Sequence, residues 1–238
     1  MRTPPGILGR QSAQHGATIP GARMRSLCLL ALAAACSRGP EPCASAGVCP
    51  EGQECLANRC VVAGGDPVPA DSHRLVLEPE QMAVVGNAAT EPGELPAAVT
   101  FGGGANGTST LYLKFPPVWR HKRRIEAAFL ILEPMPATFG SAEDVAMDVW
   151  RVRERWEPSS LTRIEQPELG PPRSRGLARS TPPSPLRVDV TALVTHLAEN
   201  AGSDHGIALR AGSGDSAGAS FATGTSGGRS PRLEIYVR

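Results

Sequence analysis

A chain of 238 residues can form one or two domains with a substantial core, and 41% hydrophobic with 20% charged residues places it among globular proteins. Glycine (26) and proline (23) are abundant, which argues for a turn-rich chain poor in long helices, and aromatics make up only 4%. The formal charge is +1, but residues 1–35 hold four arginines and no acid, so without them 20 basic groups face 23 acidic ones and the net charge is −3, which argues against a nucleic-acid partner.

The first 35 residues read as an export signal. Arg23 and Arg25 flank Met24, Leu27 to Ala35 form a nine-residue apolar stretch too short to span a bilayer, and small residues lead into Cys36. A small-residue run ending in cysteine resembles the bacterial lipobox, in which that cysteine is diacylated and becomes the new N-terminus. Here Leu32 stands four residues before Cys36, with Ala33 in the place a lipobox usually gives to leucine. Cys36 is therefore the expected lipid-bearing residue, and the membrane, reached through this anchor, is an expected partner.

All six cysteines lie before residue 61. Export carries the chain into an oxidising compartment, where Cys43, Cys49, Cys55 and Cys60, separated by five, five and four residues, are expected to form two disulfides. Their spacing leaves three connectivities open. No CxxC pair and no histidine lies between residues 43 and 60, so bridges are expected there in preference to zinc. This knot, residues 36–60 with the lipidated N-terminus, reads as a spacer, and "VVAGGDPVPA" opens an extended Gly/Pro linker over 61–72.

From residue 73 onward ten short runs alternate or are β-branched, and Gly or Pro clusters bound most of them: "HRLVLE", "MAVVG", "AAVTF", "STLYLKF", "IEAAFLILE", "VAMDVWRV", "LRVDV", "GIALRA", "GASFAT" and "RLEIYV". Such spacing predicts an all-β sandwich or barrel. In "STLYLKF", Leu111, Leu113 and Phe115 point inward, with Tyr112 and Lys114 on the opposite face. "IEAAFLILE" is apolar on both faces and belongs in the middle of a sheet. One helix is predicted in "TALVTHLAENAG", with Thr191 as N-cap and Leu193, Val194 and Leu197 as its inner stripe. The core closes on apolar contacts alone, so this part of the chain needs no cysteine.

The order of these segments, "LYLKFPPVW", "IEAAFLILEPMP", "VAMDVWRVRERWEPSSL", "VDVTALV" and "SPRLEIYV", resembles the DNRLRE, or disaggregatase-related, domain of secreted bacterial proteins, over residues 73–238. The resemblance implies a jelly-roll β-sandwich of the carbohydrate-binding-module kind, with polysaccharide as partner. Arg163 stands where the family often carries a second tryptophan.

Two motifs suggest enzymes and fail on context. "GDSAG" (214–218) fits the nucleophile elbow around Ser216, yet neither Asp nor His follows it, so the hydrolase order of acid and base is unavailable. "GGGANG" (102–107) fits a phosphate loop but leads into a strand and reads as a hairpin loop. Glu133, Glu143, Asp144, Asp148 and Glu154 show no glycosidase pairing, and His73, His121, His196 and His205 show no metal-ligand spacing. No catalytic residue, metal or cofactor is expected.

Sugar binding needs an aromatic platform and fixed polar groups. Those types concentrate in "WRHKRR": Trp119 can stack on a pyranose, and Arg120, Lys122 and Arg123, with Arg124, can pair with a uronate or sulfate. Trp150 and Trp156 read as core. The expectation is a cell-envelope or secreted lipoprotein built as signal peptide, disulfide knot, linker and sugar-binding jelly-roll sandwich with one short helix. Its rival is a structural or adhesion protein whose sandwich contacts other proteins.

Overall fold

The computed structural model describes residues 49–62, 68–86, 91–102, 109–117, 124–135, 144–178, 184–212 and 218–238, with Asn58, Ser226 and Gly228 excepted. Two antiparallel sheets face each other. One has five strands in the order β4 (Gln81–Val85), β6 (Thr110–Lys114), β11 (Ile207–Ala211), β8 (Val145–Val152) and β9 (Leu169–Ala178). The other has four, in the order β10 (Leu186–Asp189), β7 (Ile125–Leu132), β13 (Arg232–Val237) and β3 (His73–Leu77). Most connections between these strands cross from one sheet to the other, which gives the jelly-roll sandwich.

Alternation explains the core. Leu111, Leu113, Met147, Val149 and Leu209 from one sheet meet Leu130, Leu132, Val188, Leu233 and Ile235 from the other, all buried in one cluster. A short pair, β5 (Ala98–Gly102) with β12 (Gly218–Ala222), extends it with Phe101 and Phe221, whose ring centroids are 6.0 Å apart. β12 continues onto the end of β7 through Met135 N–H donating to Ser220 O at 3.0 Å and Ala222 N–H donating to Glu133 O at 3.0 Å. Because β5 pairs with β12 and β6 lies in the five-stranded sheet, the "GGGANG" segment joins two sheets and is no hairpin loop. Residues 103–107 of it lie outside the described residues.

The helix α1 (Thr191–Glu199) packs on β7 and β9 and buries the predicted Leu193, Val194 and Leu197. Its cap differs from expectation. Thr191 is the first helical residue, and Asp189 Oδ1 accepts from its N–H at 2.9 Å and its hydroxyl at 2.6 Å. The same hydroxyl accepts from Ala128 N–H at 2.9 Å, so the threonine fastens the helix to β7 and does not cap it.

Both outer faces carry a further layer, so neither sheet is simply polar outside. The connection after β8 folds over the five-stranded sheet and seats Trp156 and Leu161 against Ala83, Val85, Tyr112 and Ala208. Tyr112, expected on an outer face, is completely buried there, its ring 5.7 Å from that of Trp156 and its hydroxyl donating to Gln166 Oε1 at 3.0 Å. On the four-stranded sheet, a hairpin of β1 (Gln53–Leu56) and β2 (Arg59–Val62) rests Ala57 against Ala127, Phe129 and Ile131. Cys49 and Cys60 are disulfide-bonded and Cys55 is disulfide-bonded as well, whereas Cys36 and Cys43 lie outside the described residues. The stretch read as a linker begins inside β2, and Val68 packs against the same patch as the hairpin tip.

Candidate functional site

One end of the sandwich opens into a cleft of about 620 Å³. Four pieces of chain build it: the turn holding Glu80, the end of β6 with Lys114, Phe115 and Pro117, the Arg155–Glu157 turn, and the Ala201–His205 segment that follows α1. Sequence reasons place each piece. Pro116 and Pro117 stop β6 from continuing. Gly206, at φ +89, turns the chain from the cleft wall into β11, and a side chain there would strike Leu113 O, 2.3 Å from where its Cβ would lie.

Trp156 ties the wall together. It is 6% exposed, and its indole N–H donates to His205 O at 2.7 Å. Around it the charges are mixed. Lys114 Nζ lies 3.5 Å from Glu80 Oε1, and Asp204 Oδ1 accepts from Gly206 N–H at 3.2 Å. Burial pushes the His205 imidazole below its ordinary value of 6.5, and the Arg155 charge adds to that against the pull of Asp204. At neutral pH this ring is therefore uncharged and offers the cleft one N–H and one acceptor nitrogen. The arrangement can hydrogen-bond hydroxyls and pair with a carboxylate.

Trp119, Arg120, Lys122 and Arg123 lie outside the described residues. The described chain stops at Pro117, in the cleft wall, and resumes at Arg124, whose backbone pairs with Arg238 and whose Nε is 3.1 Å from Glu126 Oε1. Ser216 also lies outside. Of the scattered carboxylates, Glu133 pairs with Arg232 at 2.6 Å, Asp148 with Arg175 at 2.7 Å, and Glu154 accepts from Glu168 N–H at 3.1 Å. His196 Nε2 accepts from Arg151 at 2.9 Å, so this histidine is a structural partner of β8. Among the described residues no cluster of metal-binding side chains occurs, and no helix is long and apolar enough to cross a membrane.

Trp156 sits in a core, as its sequence context suggested. Trp150 does so only in part, being half-buried on the outer face of β8 with the Arg173 guanidinium 5.1 Å from its ring centroid. The cleft residues Lys114, Arg155, Asp204 and His205 were not legible as a group, because they come from three separate parts of the chain, two connections and one strand end. In comparisons with known proteins, no family model and no curated protein matches this chain.

Proposed function

We propose that the chain is a non-catalytic lipoprotein of the cell envelope whose sandwich binds polysaccharide in the end cleft. The observation that carries this reading is the cleft itself: an open hollow of about 620 Å³ on an all-β frame, lined by both signs of charge, with Pro117, two residues before Trp119, in its wall. Sugars are bound by an aromatic face against C–H groups and fixed polar groups against hydroxyls. The basic segment adds guanidinium groups that pair bidentately with a uronate or sulfate. The resemblance of its segment order to that of DNRLRE domains supports the same assignment, and Cys36 is the residue that carries the acyl chains.

The test is a glycan array probed with the detergent-extracted full chain, with intact mass measured on the same preparation. Retention on acidic glycans that Trp119→Ala and Arg123→Ala abolish is the expected result, together with a mass showing residues 1–35 removed and Cys36 acylated.

A protein-contact reading has one observation in its favour. Ile164 is 95% exposed beside a hollow of about 400 Å³ walled by Val84, Val85 and Leu161. No retention on any glycan, with both variants behaving like the parent, would favour that reading.

A further inference from the structure

The tip of the β1–β2 hairpin is built in an unfavourable way. Leu56 pairs with Arg59 across a two-residue turn, and Ala57, its first central residue, has φ +51. Turns of this kind favour Asn or Gly because a Cβ crowds the backbone at positive φ. Ala57 is the only non-glycine residue with positive φ among the described residues, and it is 3% exposed. Strain of this sort persists where surrounding structure enforces it.

What enforces it is docking on the four-stranded sheet. The Ala57 side chain packs with Ala127, Phe129 and Ile131, and its N–H donates to Asp189 Oδ2 at 2.5 Å. Asp189 Oδ1 holds the N–H and hydroxyl of Thr191, and that hydroxyl receives Ala128 N–H. One carboxylate therefore joins the hairpin tip to the start of α1 and, through the Thr191 hydroxyl, to the inner strand β7. Next to the tip, Arg59 pairs with Glu126, whose side chain is fully buried. A bulge accounts for that carboxylate's position: Tyr236 faces Ala127 and Val237 faces Ile125, so Glu126 is the extra residue.

A two-stranded hairpin with four residues in each strand is marginal alone. The Cys49–Cys60 bond, adjacent in sequence to Arg59, closes this one. We propose that the hairpin is a redox-dependent clamp on the start of α1, seated while Cys49–Cys60 is oxidised and released when a dithiol reduces it. The dithiol's thiolate attacks Cys49 Sγ, the half-exposed partner, and Cys60 leaves as thiolate; the dithiol's second sulfur then displaces Cys49. Two electrons and two protons pass to the cysteines, and the dithiol becomes a disulfide. The far end of α1 leads into the Ala201–His205 wall of the cleft, so the clamp and the cleft share one element.

Hydrogen exchange on the full chain tests this. After dithiothreitol treatment, amides of residues 53–62 and 191–197 are expected to exchange about ten-fold faster or more, the scale of breaking one charge-assisted hydrogen bond, with β11 unchanged. The double variant Cys49→Ser/Cys60→Ser, which spares the bond of Cys55, should reproduce the effect without reductant, and Arg59→Ala in the oxidised chain should loosen the hairpin to a smaller degree. An unchanged hairpin, a loosened hairpin over an unchanged α1, or an equal acceleration of β11 would each overturn the clamp.

Discussion

The indole N–H of Trp156 donates to the backbone carbonyl of His205 across 2.7 Å, joining the layer over the five-stranded sheet to the wall of the end cleft. Through this bond the packing of Trp156 on Tyr112 becomes a determinant of cleft shape. Removing the ring should therefore cost both stability and binding. Trp156→Ala is expected to lose about 3–5 kcal/mol in urea unfolding, and Trp156→Phe, which keeps most of the ring area and loses the hydrogen bond, about 1–2 kcal/mol.

Gly206 should tolerate no side chain. Alanine there would have to hold φ +89 and place its Cβ 2.3 Å from Leu113 O, a backbone atom that cannot swing aside. Gly206→Ala is expected to destabilise by about 2 kcal/mol or more, read as a lowered urea midpoint with an unchanged slope.

Two groups contribute to the acid limb of stability. Burial holds the folded-state pKa of His205 below 6.5, so the unfolded chain takes up that proton first and stability falls as pH drops through 6.5. For Glu234, burial pushes the carboxyl upward, but the Arg74 hydrogen bond and the charges of Arg74 and Arg232 outweigh it and hold the group below 4.5. Its contribution is present above 4.5 and is lost as pH falls through the lower folded value. Urea midpoints between pH 8 and pH 3 should thus decline in two steps, with His205→Asn removing the first and Glu234→Gln weakening the second. A midpoint constant down to pH 5 would contradict the environment described for His205.

Most of the sandwich was legible in the sequence, because one-sided burial writes itself as alternation: each of the ten runs from "HRLVLE" to "RLEIYV" contains a strand, and "IEAAFLILE" is central, as β7 between β10 and β13. β9 escaped notice. Its sequence, "LGPPRSRGLA", carries a Pro pair that an interior strand cannot accommodate, but β9 is an edge strand, and the register shift opposite Trp150 and Arg151 takes up Pro171 and Pro172. The two outer layers were hidden for a different reason. Tyr112 reads as a solvent-facing residue until the chain 44 positions later covers it, and nothing local to either residue announces that contact. The hairpin in the knot was masked by its cysteines, which fix where the chain is tied and not what its tip rests on.

The cleft is the part on which function depends, and calorimetric titration of the full chain with an oligogalacturonate and with a neutral oligoglucoside addresses it directly. Binding of the acidic oligomer with favourable enthalpy, weakened about ten-fold or more by Arg155→Ala and by Trp119→Ala while urea midpoints stay unchanged, is the predicted result. Absence of heat with either oligomer at millimolar concentration, from a chain whose unfolding shows it intact, would contradict a glycan-binding cleft.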